Sequence, residues 1–417
     1  MSKLQEVFGW IDDSRDEIIR LQTELTSRPA IGPGNGGSGE HEKAAFLKEE
    51  VTALGADVIE EVRAPDPRAK DGYRPNLICR WKGNEGERKV WILSHMDIVP
   101  PGDLSLWKSD PFKLRVEGDR LIGRGVQDDQ HGIVSSLLAL KAIRETGLRP
   151  GRSVGLVFLA DEESGSRYGL QYLLEQRREY FDPRDLIVVP DAGNEEGTLI
   201  EVAEKSVLWL KVTVNGRQCH ASTPEKGINS LVGAARLILA LHKGLKERYD
   251  FSDDLFKPPY STFEPTKMEA NVPNVNTLPG KDIFYLDCRV LPHYGPEEIL
   301  TAAREIAAQV AESTGLSVQI DAVQKEKAAD PTPEDAPVVR ELVQSIRVVS
   351  GKRARPMGIG GATVASLFRN LGFPAAVWMT APDTAHQPNE FCLISDIMFD
   401  AKVFACLYLD EFGPAGP

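Results

Sequence analysis

The sequence predicts an α/β protein made of a discontinuous domain with a mostly parallel sheet covered by helices, plus an inserted, smaller α+β domain. Three observations predict this. Three separate apolar runs each end in metal-binding side chain types: Trp91–Ser94 before His95 and Asp97, Val154–Ala160 before Asp161, Glu162 and Glu163, and Leu186–Pro190 before Asp191. In an open, mostly parallel sheet the carboxyl ends of the strands meet at one crevice, so these residues would converge. Helical and strand-like periods alternate up to about Glu201, the pattern of an α/β sheet. Beyond Val207 the strands become half-polar, and at 417 residues two domains are the default expectation.

The elements follow in order. Leu4–Ser27 reads as an amphipathic helix, with Val7, Ile11, Ile18, Ile19, Leu21 and Leu25 on one stripe. The glycine-rich segment Ile31–Glu40 is loop, and His41–Leu54 is a helix that Gly55 stops. In the inserted block, Leu208–Val214 is an alternating strand, Ile228–Arg248 a helix, Asp282–Leu291 a strand, Pro296–Thr314 a helix and Leu316–Val323 a strand. Such half-polar strands predict a sheet solvated on one face. The proline-rich stretch Ala328–Pro337 is the return linker, Pro337–Val349 a helix, and Ala375–Thr380 an apolar strand followed by His386. The first domain therefore spans residues 1–206 and 328–417, and the inserted one residues 207–327.

Composition excludes several classes of function. A formal charge of −13 argues against nucleic acid or an anionic membrane surface as partner, because both need clustered Lys and Arg. The five cysteines (Cys79, Cys219, Cys288, Cys392, Cys406) are scattered and odd in number, which suits reduced thiols in a cytoplasm. The amphipathic, charged segment Met1 to Arg20 has no apolar core, and no later run approaches the length of a membrane span. A soluble cytoplasmic protein is expected.

The candidate chemistry lies at the strand ends. His95 and Asp97 are two apart, so on an extended backbone the Asp97 carboxylate would orient the His95 imidazole. Asp128 and Asp129 close the segment Gly123-Arg124-Gly125-Val126-Gln127-Asp128-Asp129, directly before a helix whose positive end would face them. Glu162 and Glu163 are adjacent and project differently, so one can ligate while the other works as a base.

These motifs resemble the M20 family of metallopeptidases and N-deacylases, which includes acetylornithine deacetylase, succinyl-diaminopimelate desuccinylase, aminoacylase and glutamate carboxypeptidase. The resemblance runs nearly end to end. It rests on Ser94-His95-Met96-Asp97-Ile98-Val99-Pro100, Trp107 with Asp110-Pro111-Phe112, the Gly123–Asp129 segment, Asp161-Glu162-Glu163 and Asp191. It extends to Gly216, His220, Pro224, Gly227 and Asn229 in the inserted block, and closes on His386-Gln387-Pro388-Asn389-Glu390.

The resemblance implies a metal-dependent hydrolase of N-acyl amino acids with two divalent metal ions, zinc or alternatively cobalt or manganese. Asp128 would bridge them, with His95 and Asp191 completing one ion's ligands and Glu163 and His386 the other's. Glu162 would be the general base acting on a metal-activated water, and Asp97 would orient His95. It also implies a homodimer in which the inserted domain serves as lid and dimer interface, and His220 reaches the partner's site to stabilise the oxyanion. His220 reads otherwise as a surface loop histidine. The substrate is expected to be a small molecule with a free carboxylate. Asn276, Arg289, Gly361 and Thr363 match positions that contact the substrate, although Arg289 equally reads as half of a structural salt bridge. A dipeptidase or carboxypeptidase of the same family is the alternative, and a non-catalytic metal-binding homologue a remote one. Two departures from the family pattern stand out. Gln130 and His131 precede Gly132, and Val364, Ala365 and Ser366 follow the Gly360–Thr363 loop.

Overall fold

The computed structural model describes residues 2–83, 88–361 and 363–411; Met1 and one residue of the Gly360–Thr363 loop, Ala362, lie outside them. The described chain forms two compact units. One comprises the residues up to Val202, Thr332–Pro356 and those from Thr363 onward, and the other Ala203–Pro331 with Met357–Gly361.

The first unit is built on an eight-stranded sheet in the order Val58–Pro65, Tyr73–Trp81, Val154–Leu159, Val90–His95, Leu186–Asn194, Ala375–Thr380, Leu199–Glu204 and Arg355–Ile359. The four central strands, from Val154–Leu159 to Ala375–Thr380, run parallel. Antiparallel partners flank them, Tyr73–Trp81 on one side and Leu199–Glu204 on the other. Val90–His95 and Val154–Leu159 are buried at every position, as strands covered on both faces must be. On one face Trp91, Leu93, Val157, Leu159, Ile187 and Val189 pack with Leu170, Leu173 and Phe368. On the other the helix Gln130–Glu145 packs against the strand Val90–His95 and against the apolar helix Ile394–Leu409. Close packing sets local residue choice: a Cβ on Gly155 would lie 2.0 Å from the Trp91 ring.

The expected single helix Leu4–Ser27 is two helices, Lys3–Asp12 and Arg15–Thr26. The break falls at Asp13 and Ser14, where the Ser14 hydroxyl bonds back to the Trp10 carbonyl at 2.7 Å. Short polar side chains that compete for backbone groups favour helix ends over interiors.

The second unit holds a four-stranded antiparallel sheet in the order Thr262–Met268, Lys281–Val290, Ser206–Asn215 and Ser317–Glu326. Its buried face carries Leu208, Leu210, Val212 and Val214 with Phe284, Leu286, Cys288 and Val290, covered by Leu237, Leu241 and Leu245 of one helix and Ile299 and Ala303 of another. The alternate residues are half-buried or exposed, so the period of two is visible in both central strands. Thr262–Met268 is a fourth strand that hydropathy does not announce. Its residues from Glu264 to Met268 are exposed, and an edge strand with little to bury carries no apolar alternation.

No helix among the described residues is long and apolar enough to cross a membrane.

Candidate metal centre

The centre starts where the strand Val90–His95 ends. The His95 side chain is buried, and its Nδ1 lies 3.0 Å from the Asp97 carbonyl oxygen. A carbonyl can only accept, so Nδ1 carries the hydrogen and Nε2 is the atom free to ligate. The Asp97 carboxylate, expected to orient the ring, sits 3.5 Å from Nδ1 and has other partners. It accepts the Glu162 N–H at 3.0 Å and the Glu163 N–H at 3.2 Å. The strand ends at His95, so the strict alternation stops there and the Asp97 carbonyl comes nearer to the ring than its carboxylate.

The second contribution comes from the loop before the helix Gln130–Glu145. Gly125 turns it with φ of 86°, where a Cβ would also press on Ile98 at 2.6 Å. Asp129 caps the helix by accepting the Gly132 N–H, and its other oxygen accepts the His95 N–H at 3.1 Å. Asp128 faces two histidines at once. Its Oδ1 is 2.7 Å from His95 Nε2 and its Oδ2 is 2.9 Å from His386 Nε2. Asp191 Oδ1 lies 3.7 Å from His95 Nε2, and Glu163 Oε2 3.1 Å from His386 Nε2.

The result is two three-residue groups, His95 with Asp128 and Asp191, and Asp128 with Glu163 and His386, each with donor atoms within 4.8 Å of one another. They share Asp128, one oxygen facing each group. A carboxylate placed so is suited to bridge two ions, and the mixed imidazole and carboxylate donors suit a borderline first-row divalent cation. The donor set therefore fits a pair of metal ions.

Electrostatics agree. Burial opposes a charged His95, yet Asp128 and its neighbours hold the imidazole well above its usual range. Hydrogen bonding to Asp128 and Glu163 pushes His386 up to about 10. Burial also works against ionised Asp128, but His95 and His386 keep its carboxyl well below the usual carboxylate range. Burial pushes Glu162 well above its usual value, with Asp191 and Asp128 adding to it. Four carboxylates and two imidazoles thus share a site whose negative charge calls for cations; a divalent ion acts oppositely to burial on every acid here.

Glu390 has a part that sequence reasoning missed, although it stands in the His386–Glu390 motif. It is fully buried. Its Oε1 accepts the N–H groups of Gln127 at 3.0 Å and Asp128 at 3.2 Å, and its Oε2 accepts that of Gly125 at 3.1 Å and Arg124 Nη1 at 2.6 Å. Arg124 also donates to the His386 carbonyl at 3.3 Å, tying both ligand-bearing loops to one buried ion pair. An acid that close in sequence to a candidate ligand was the available signal. Arg124→Met leaves the Glu390 carboxylate buried without its counter-ion, and the expected cost is about 3–5 kcal/mol, read by urea unfolding of the metal-free protein.

The remaining predicted residues divide between the units. In the first, the Thr363 hydroxyl accepts the Ala365 N–H at 3.2 Å at the start of a short helix. In the second, exposed His220 lies in the two-residue strand that pairs with Thr277–Leu278, its Nδ1 2.7 Å from the Ser222 hydroxyl. The Asn276 carbonyl accepts the Ala221 N–H at 2.9 Å, which places Asn276 beside His220. Arg289 pairs with Asp287 at 2.7 Å and donates to the carbonyl of Gly360, the residue before Gly361, at 3.1 Å. The salt-bridge geometry for Arg289 is thus present.

In the first unit a cleft of about 530 Å³ opens beside Asp191, in the size range of small-molecule sites. Gln127, Glu195, Glu196, Met379 and Asp383 are among its lining residues.

Comparison with known proteins agrees with this chemistry. The profile of Peptidase family M20/M25/M40 matches residues 91–410. An uncharacterized metallohydrolase of Methanococcus maripaludis is 38% identical over 93% of this chain and 98% of its own. A succinyl-diaminopimelate desuccinylase of Nitratiruptor sp. is 26% identical over 90% and 94%. Among solved structures, human carnosine dipeptidase 1 shares the fold with a TM-score of 0.75 at 17% identity, covering 98% of this chain and 99% of its own. An M20 family metallo-carboxypeptidase from Sulfolobus solfataricus does so with a TM-score of 0.70 at 21% identity, covering 94% and 99%.

Proposed function

The chain belongs to peptidase family M20/M25/M40, a metal-dependent hydrolase of amide or peptide bonds, and from that premise we propose that it deacylates N-acyl amino acids. The observation that carries the reading is the pair of three-residue groups sharing Asp128, with Glu162 beside them.

In this reading His95, Asp128 and Asp191 hold one divalent ion, and Asp128, Glu163 and His386 the other. Zinc fits best, with cobalt or manganese able to substitute. When bound, the ions supply Lewis acidity that lowers the pKa of water from about 15.7 toward 7. Glu162 accepts a proton from the attacking water and delivers it to the leaving nitrogen, a transfer worth about 10²–10⁴-fold. Asn276 and Arg289 engage the substrate carboxylate, with Arg289 supplying a two-pronged donor, and Gly361 and Thr363 belong to the substrate loop. The second unit acts as lid and homodimer interface, and His220 serves the partner's site as oxyanion donor. These last roles rest on the family resemblance. Five free cysteines without a disulfide support a reducing, cytoplasmic setting.

The direct test loads the purified protein separately with zinc, cobalt and manganese. N-acetyl, N-succinyl and N-formyl amino acids are then screened beside dipeptides, with primary-amine release as readout. Turnover of acylated amino acids alone is the expected result, and turnover of dipeptides alone overturns it. The dipeptidase reading has one observation in its favour: Glu195, Glu196 and Asp383 line the cleft next to Asp191, where a free substrate amine would need an acidic partner.

Two further outcomes follow. Because His386 is pushed up to about 10, it is protonated at pH 7 in the metal-free protein and must shed that proton to ligate. Metal uptake at pH 7 therefore releases protons and weakens as pH falls, seen by titration calorimetry in buffers of different ionisation enthalpy. If His220 acts in trans, mixing inactive His220→Ala and Glu162→Gln subunits under demonstrated exchange restores part of the activity; no recovery removes that role.

A further inference from the structure

Glu162 and Glu163 stand on a turn whose backbone decides where they point. Asp161, directly before them, has φ of 63°, and Gly165 and Ser166 follow with 100° and 59°. Left-handed φ at the non-glycine residues Asp161 and Ser166 persists only where the surroundings over-determine it. Part of that support is internal, since the Asp161 carbonyl accepts the Ser166 N–H at 2.6 Å.

The Asp97 carboxylate holds the centre of the turn through the Glu162 and Glu163 N–H groups, and the neighbouring strand Tyr73–Trp81, which contributes no candidate ligand, holds its ends. Asn76 is fully buried. Its Oδ1 accepts the Ala160 N–H at 2.9 Å, and its Nδ2 donates to the Tyr168 carbonyl at 2.8 Å. Arg74, two residues earlier on the same face of the strand, is only 1% exposed. Its Nη1 donates to Asp161 Oδ1 at 3.1 Å, while Asp161 Oδ2 accepts the Tyr168 N–H at 3.0 Å. The other edge of the guanidinium is held by buried Glu40, through Nε at 2.7 Å and through Nη2. Ala160, Asp161 and Tyr168 are thereby pinned at both ends of the turn.

We propose that Arg74 and Asn76 are positioning residues for hydrolysis, a clamp on the strand Tyr73–Trp81 that holds the Ala160–Tyr168 turn and so aims Glu162 at the reacting water. The inference rests on the reading of Glu162 as general base. Neither residue touches substrate or metal; both act through the turn. Displacement of a catalytic group by about 1 Å can cost about 10²-fold in rate, so loss of either anchor matters although neither residue is itself a donor to metal.

The test uses Asn76→Ala and Arg74→Lys in the full-length, zinc-loaded protein, the lysine retaining a counter-ion for Glu40 and Asp161. Hydrogen exchange followed by mass spectrometry is expected to show faster exchange confined to peptides covering 160–168, with the rest of the sheet still protected. Unchanged exchange in that segment in both variants overturns the clamp. On the substrate that the panel identifies, and with metal in excess so that the Glu163 group stays loaded, kcat is expected to fall by about 10–100-fold with KM near wild type. In a Glu162→Gln background the same substitutions are expected to have no further effect on kcat. Equal losses in both backgrounds would mean a general structural role and would overturn the proposal. Full activity of Glu162→Gln alone would instead remove the base assignment, a result separable from the exchange data.

Discussion

Glu162→Gln is expected to bind two metal ions as wild type does while kcat falls by about 10²–10⁴-fold. Glutamine keeps the size and polarity of glutamate but cannot take a proton at any working pH. The backbone N–H of Glu162 remains held by Asp97, so the turn keeps its shape. Neither three-residue group includes Glu162, so metal content is spared. Metal analysis beside single-turnover kinetics separates the two readouts. A metal-replete variant that turns over normally would exclude Glu162 as the base.

Asp128→Ala is expected to lose both metal content and activity. Each oxygen of Asp128 faces a different histidine, so this one substitution takes a donor from both groups. His95→Ala or His386→Ala takes a donor from one group only, and is expected to spare more of the second ion. The comparison is therefore internal: Asp128→Ala should release more metal than either histidine variant. The metal-free wild type should also melt below the loaded protein, because an ion that binds only the folded state stabilises it by mass action. Equal metal retention in the Asp128 and His386 variants would contradict a shared bridging carboxylate.

Much of the site was legible before the fold was. Hydropathy marked the strand ends that carry metal-binding side chains, and the motif resemblance singled out His95, Asp128, Glu163, Asp191 and His386, the residues that the fold brings into two adjoining groups. The same pattern marked the half-polar strands of the second unit, since burial on one face imposes a period of two. It did not mark the strand Thr262–Met268, which buries little, or the break at Ser14, which depends on one hydroxyl finding the Trp10 carbonyl. It placed Asp97 beside His95, and the fold adds that both groups of Asp97 face the ring, the carbonyl 3.0 Å and the carboxylate 3.5 Å from Nδ1.

By itself the sequence determined the α/β class and the metal-binding residue types at the strand ends, because strand periodicity and side-chain identity are written in short stretches of chain, while the hydrolase chemistry came from the resemblance of its motifs to the family. Only the tertiary structure decided which groups hold those ligands in place. Glu390 reaches the Gly125–Asp128 amides from more than 260 residues away, and Arg74 and Asn76 grip a turn roughly 85–90 residues downstream. A buried polar group must find its partner wherever the fold supplies one, and that pairing has no period for a sequence to display.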